Sequence, residues 1–240
     1  MNNNRKGNFA GNLIWGLGIL AVAAFLIIPA THVLFVRATD NFPYIMGFLK
    51  FAILSIMGEF LAVRLVSGRW QMIKGLVPKM IIWGTLGVAI VLMFAMYSKG
   101  VAGAVESGLL YAGSGHTKSV LTALYISVIM NLTFAPVFMA AHRITDTWID
   151  AHFSGDNPGK NSGDNSGGQK MTIAGAISVI DWSGFLKFVV GKSIPLFWIP
   201  AHTITFLLPD TYKVIFAASL SIVLGLILSI AKLAALCEKA

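Results

Sequence analysis

Ionisable residues inside apolar runs are where this chain could do chemistry. The run 42–66 carries Lys50, Glu59 and Arg64. In hydrocarbon each such group costs on the order of 2.5–3.5 kcal/mol unless it finds a partner or water. At about 100° per residue, Lys50 and Arg64 return to one helix face while Glu59 points to the other. Glu59 and Arg64 diverge by roughly 140°, too far for a good intrahelical pair. Two readings of Glu59 stand open: an interhelical ion pair with Lys187 or Lys192, or a water-accessible, solute-facing position. Arg64, one turn from the end of its run, can snorkel to the interface.

A second constellation is His142, Asp146 and Asp150, which recur every four residues and form one polar stripe on a helix. The stripe reads either as a solvated extension with His/Asp pairing, or as a metal or proton site at an inner mouth. A third is the run 185–208, interrupted by Lys187, Lys192, Pro195, Pro200 and His202. Each proline frees a carbonyl one turn earlier, and broken helices at membrane depth line protein cavities. No Ser, Cys or Lys has a plausible base beside it, so an enzyme is the weaker class and no catalytic residue is assigned. The five histidines show no HExxH and no paired spacing with the single cysteine, Cys237. No zinc site or other cofactor is expected, and no intrachain disulfide can form.

Composition says which elements must position these groups. Of 240 residues, 56% are hydrophobic and 12% charged, against about a quarter charged in an average soluble domain. Mean hydropathy is +0.77. A soluble enzyme, a disordered tail and a nucleic-acid-binding domain are excluded despite the net charge of +8. A membrane helix needs about 20 apolar residues, and six runs qualify: 13–36, 42–66, 77–97, 120–141, 185–208 and 212–236. Pro29 should kink or break the first, which reads as a retained anchor rather than a signal peptide. Shallow entry of the first or fifth run would lower the count to four or five.

With the N-terminus inside, the inner segments hold Arg5, Lys6, Arg64, Arg69, Lys74, Lys79, Arg143, Lys160, Lys170, Lys232 and Lys239. The outer segments hold Arg37, Lys99, Lys118 and Lys213. That asymmetry accounts for the positive charge by the positive-inside rule. It predicts an all-α, polytopic bundle of about six membrane helices, forming one domain with both termini cytoplasmic. The stretch 154–169 (SGDNPGKNSGDNSGGQ) has 14 of 16 residues Ser, Gly, Asp, Asn or Pro. It reads as a flexible cytoplasmic linker, and lacks the spacing and final Glu of an EF-hand. Residues 171–180 read as an interfacial helix, with Trp182 at headgroup level and Asp181 or Ser183 capping the fifth run. The outer loop 100–115 reads as an ordered cap or a short surface helix.

Several short motifs carry a family resemblance. They are Leu208-Pro209-Asp210-Thr211-Tyr212-Lys213, with Leu228-Ser229 sixteen residues on, and upstream Trp198, Pro200 and Phe206. Asn131-Leu132-Thr133-Phe134-Ala135-Pro136, Gly58-Glu59 and Trp83-Gly84 to Gly87 complete the ordered set. Together they resemble the Mpv-seventeen / peroxisomal-membrane-protein-twenty-two family of eukaryotic organelle membranes, over roughly residues 42–229. The chain departs from that family in lacking the Gln and Asn near Trp198 and the Asp at Met130. Residues 1–12 are neither amphipathic nor arginine-rich, so no mitochondrial presequence is read and a prokaryotic cytoplasmic membrane is expected. The resemblance implies an integral helical membrane protein of a kind proposed to form pores for small solutes. It implies no substrate. Asn131 and Pro136 read equally well as pore lining or as an amide bond and a kink joining helices.

The expectation is therefore a channel or transporter-like protein. Glu59, Asn131, Lys50, His202 and the proline-broken fifth helix would line its polar path. The alternative is a non-transporting scaffold that binds a partner or anionic lipid through the basic loop 64–79. A membrane-embedded enzyme using His142, Asp146 and Asp150 is a third reading. The lipid bilayer itself, and a second copy of the chain, are the remaining expected partners; nucleic acid is not.

Overall fold

A computed structural model describes residues 2–153 and 171–237; the expected linker at 154–169 lies outside the described residues. Every element in it is a helix. In chain order they are α1 (Asn2–Ile27), α2 (Pro29–Asn41), α3 (Pro43–Ser67), α4 (Leu76–Glu106), α5 (Gly115–Thr133) and α6 (Ala135–Phe153). Then come α7 (Ile173–Val179), the single turn α8 (Trp182–Gly184), a π-helix (Phe185–Trp198), α9 (Ile199–Leu207) and α10 (Asp210–Cys237).

Prolines explain most of the boundaries. Pro29, Pro43, Pro78, Pro136 and Pro200 each fall in the first turn of a helix, and Pro209 directly precedes α10. At a true helix start the missing N–H has no intrahelical acceptor to lose; Pro200 differs, because the π-helix runs into α9 through helical backbone at Trp198 and Ile199. Among the described residues Pro195 alone sits in a helix interior. It does so inside the π-helix, where Ile199 N–H reaches Ile194 O, five residues back. The wider winding absorbs the donor that Pro195 lacks.

Five helices are long and apolar enough to cross a membrane, and α5 with α6, bent by 46° at Phe134, makes a sixth candidate. The protein is a multi-pass helical membrane protein. The expected break at Pro29 is present and divides the first run into two helices. Two other boundaries differ from the sequence reading. The fourth run is two helices around a one-residue break, not one span with a cytoplasmic extension. And α4 runs on to Glu106, taking in the start of the expected outer loop. The short helix before the fifth run is present as α7, and Asp181 caps α8 by accepting from Gly184 N–H at 2.9 Å.

Helix α3 is the axis of the bundle, pressed between α4 and α10. Small residues permit this, since lipid supplies no hydrophobic drive between helices and close backbone approach must substitute. A Cβ on Gly87 would strike the Gly47 carbonyl and Phe51. On the other side, a Cβ on Gly58 would lie 3.0 Å from Ser221 O and 3.1 Å from Ile222 Cα. Around these contacts Phe51, Leu54, Ile90, Phe94, Ile126, Met130 and Phe206 form the buried core. Leu17, Leu20, Ile53, Met96, Leu132, Val137, Leu196 and Ile204 are exposed, as lipid-facing residues should be.

At one end of the bundle α1 is tied to the α3–α4 turn. Trp15 Nε1 donates to Met57 O (3.0 Å), and Asn12 Oδ1 accepts from Trp70 Nε1 (2.8 Å). Arg64, Arg69 and Arg143 mark this as the basic end. At the other end His32 bridges the Pro29 break to α10. Its Nδ1 contacts Leu26 O at 2.8 Å and its Nε2 contacts the Tyr212 hydroxyl at 3.0 Å. A carbonyl only accepts, so Nδ1 carries the proton, and in the neutral ring Nε2 accepts from Tyr212.

Candidate functional site

The four-residue spacing of His142, Asp146 and Asp150 brings all three to one side of α6. Gly58 lets α10 close on α3 and leaves the next residue, Glu59, facing α4 and α6. The carboxylates converge on a residue that the sequence reading counted only as an inner-segment charge, Lys79, in the first turn of α4. Its Nζ lies 2.7 Å from Glu59 Oε1, 2.9 Å from Asp146 Oδ1 and 3.1 Å from Asp150 Oδ1. Lys79 donates a hydrogen bond to Glu59 and forms ion pairs with Asp146 and Asp150. The lysine side chain is 7% exposed while the carboxylates grade from 26% at Asp146 to 49% at Asp150. The cluster carries more negative than positive charge.

This corrects the expected partner of Glu59. Lys187 and Lys192 are exposed, and Lys79 takes the place proposed for them. Nothing in the spacing of residues 59 and 79 could have announced the pair. It exists because α3 and α4 cross closely at Gly47 and Gly87 and are antiparallel.

Above the ion cluster lies a partly open cavity of about 330 Å³ lined by α3, α4, α5, α6, the end of the π-helix, α9 and α10. Its walls are mostly apolar, with Phe51, Ile90, Met130, Phe134, Phe138 and Leu224 prominent. Along α3 it extends from Phe51 to Ala62, and along α6 from Ala135 to Asp146. Either stretch spans about 16 Å at the helical rise. A polar track runs up it. Glu59 and Asp146 stand at the basic end; Ser55 and His142 lie one turn further in; Asn131, Trp198 and His202 follow.

Two features of that track are unusual. First, Ser55 Oγ, His142 Nδ1 and Trp198 Nε1 are buried and have no hydrogen-bond partner among the described residues. All three belong to residues lining the cavity. Buried polar atoms are normally paired, so their convergence on one space is informative. Second, Asn131 and His202 are buried and satisfied. Asn131 Nδ2 donates to Ser127 O (2.8 Å) and lies 3.1 Å from His202 Nδ1. Ser127 Oγ donates to Ile199 O at 2.7 Å. If the amide nitrogen donates to Nδ1, the neutral imidazole carries its proton on Nε2. Ring contacts complete the wall: Trp83 packs on His142 at 4.1 Å between centroids and Trp198 on His202 at 5.3 Å.

The remaining candidates lie elsewhere. Lys50 is buried, but its Nζ donates to Thr39 Oγ1 (2.9 Å) and sits 4.6 Å from the Phe35 ring centroid. It does not line the cavity, which corrects its place on the polar path. Pro136 starts α6 beside the cavity-lining Ala135, and Pro195 and Pro200 are exposed. The prolines shape the helices; Trp198 and His202, flanking Pro200, face the cavity. Of the other motif residues, Phe206 packs on Phe94 at 4.9 Å, and Lys213 lies 5.8 Å from the Phe206 ring and 2.5 Å from Asp210. Pro209 is exposed before α10, Tyr212 meets His32, and buried Ser229 donates to Gly225 O (2.7 Å). The Phe206 and Tyr212 contacts join helices, while the Ser229 and Asp210 contacts lie within α10. No three His, Cys, Asp or Glu side chains among the described residues form a group suited to a metal ion. The site's own lysine occupies the centre of its carboxylates.

Residues whose place at the site sequence reasoning missed are Lys79, Ser55, Trp83 and Ser127. Ser55 lies four before Glu59 and so shares its face, a signal that was present. The others depend on which helices cross. Comparison with protein families, with curated proteins and with solved structures found no match for this chain.

Proposed function

We propose that the central cavity is the binding chamber of a path for small solutes, in a channel or transporter-like membrane protein. One observation carries this reading: polar groups from several different helices line a single cavity inside a lipid-facing bundle. Polar side chains in membrane helices are costly, and purely structural ones pair off, as Asn131 does with His202. Here Ser55, His142 and Trp198, all residues that line the cavity, each keep one buried polar atom unpaired among the described residues. The α5–α6 break and the π-helical winding before α9 supply the irregular backbone found where membrane proteins enclose cavities.

Purified full-length protein reconstituted in liposomes tests it. Uptake of small organic solutes above that of protein-free vesicles is the expected result, with Glu59→Gln altering the rate. Vesicles no leakier than the protein-free control would overturn the reading.

A further inference from the structure

The chamber's lining also specifies what it would hold. Starting at the basic end, Glu59 and Asp146 are both cavity residues and both partners of Lys79, which is not itself among the cavity residues. The lysine engages Oε1 of Glu59 and Oδ1 of Asp146. A carboxylate accepts through two oxygens, so one oxygen of each is left over from the ion pair. Three carboxylates against one ammonium give the cluster itself an excess of negative charge within the basic end, in surroundings where charge is weakly screened.

Beyond the cluster the walls are Phe51, Phe134, Phe138, Met130, Ile90 and Leu224. They suit an apolar body and disfavour a hydrated inorganic ion, which would lose its water against hydrocarbon. Trp83 and His142 add ring faces near the cluster, and ring faces attract cations. Among the residues lining the chamber, Ser55, 3% exposed, and Trp198 carry buried polar atoms, Oγ and Nε1, that have no partner among the described residues. Indole nitrogen can only donate, so the occupant that satisfies it offers an acceptor oxygen.

We infer that the chamber binds a small organic cation: an amine that meets Glu59 and Asp146, an apolar body along the phenylalanine wall, and a hydroxyl or carbonyl for Ser55 and Trp198. The inference rests on the reading that the cavity receives a solute, and narrows it to one charge type. The volume of about 330 Å³ lies at the small end of ligand pockets, which suits a one-ring amine. Lys79 then acts as the built-in competitor, holding the carboxylates in place when no amine is bound.

Calorimetric binding to purified full-length protein in detergent tests the assignment with three probes of one shape: tyramine, 4-hydroxyphenylethanol and 4-hydroxyphenylacetate. Tyramine should bind tighter than the neutral alcohol by about tenfold or more, the difference a charge-assisted bond to a carboxylate makes. The anion should not bind measurably. Glu59→Gln and Asp146→Asn should each shrink the ratio of tyramine to alcohol affinity toward one. The probe series needs no variant, so a misfolded mutant would not rescue the idea. Equal binding of tyramine and alcohol, or tighter binding of the anion, overturns it. Flux in liposomes separates the two claims. Passage of solutes with no tyramine preference sinks the cationic assignment and keeps the path; tyramine bound but not carried keeps the assignment and sinks the path.

Discussion

Lys79 Nζ and Glu59 Oε1, twenty residues apart in the chain, lie 2.7 Å from each other across the α3–α4 crossing. The contact makes one buried lysine the hub of three carboxylates supplied by two other helices. Removing one partner of a buried ion pair leaves charge uncompensated and costs about 3–5 kcal/mol. Lys79→Met should therefore lower the thermal unfolding midpoint in detergent strongly. Adding Glu59→Gln should recover part of the loss. Independent, additive effects of the two changes would show that the residues are not coupled.

The two aspartates should separate by exposure. Asp146 is half as exposed as Asp150, and solvent-exposed ion pairs contribute about 0–1 kcal/mol. Asp150→Asn is expected to stay within that range, with Asp146→Asn clearly more costly in the same unfolding measurement. The reverse order would contradict the packing described.

Lys50 offers the opposite case. It is buried against Phe35 with Thr39 Oγ1 as its polar partner, and no carboxylate lies within ion-pair distance among the described residues. Methionine retains its length and removes the cost of burying charge. Lys50→Met should leave stability unchanged or higher, and solute flux unaltered, because Lys50 is outside the chamber. A loss of flux would return it to the path.

Helix crossing through Gly87 can be tested without touching a polar group. Gly87→Ala forces a methyl onto the Gly47 carbonyl and Phe51, and overpacking of this kind costs about 1–3 kcal/mol. Gly100→Ala, on the same helix with nothing within 4 Å of the added carbon, should be neutral or stabilising by about 0.5–1 kcal/mol. Unfolding midpoints of the pair decide it.

Asn131→Ala should cost about 0.6–1.7 kcal/mol, the range of interhelical hydrogen bonds in membranes. It should also free His202 to turn. Combining it with Ser127→Ala should cost less than the sum of the two, since both changes act on one network between α5 and α9.

How much of this was legible in the sequence follows from which forces are local. Apolar runs, proline positions and helical spacing act over a few residues. They determined an all-α membrane bundle, the break at Pro29, the cap at Asp181, and the common face of His142, Asp146 and Asp150. The isolation of Glu59 from Arg64 was likewise a matter of helical angle. What the charges meet is not local. Lys79 rather than Lys187 or Lys192 became the partner of Glu59 because glycines at 47, 58 and 87 set which helices touch. The same crossings left Lys50 outside the chamber and gathered Ser55, His142 and Trp198 within it. Partner choice between helices depends on steric fit at distant points of the chain, and only the tertiary structure decides that.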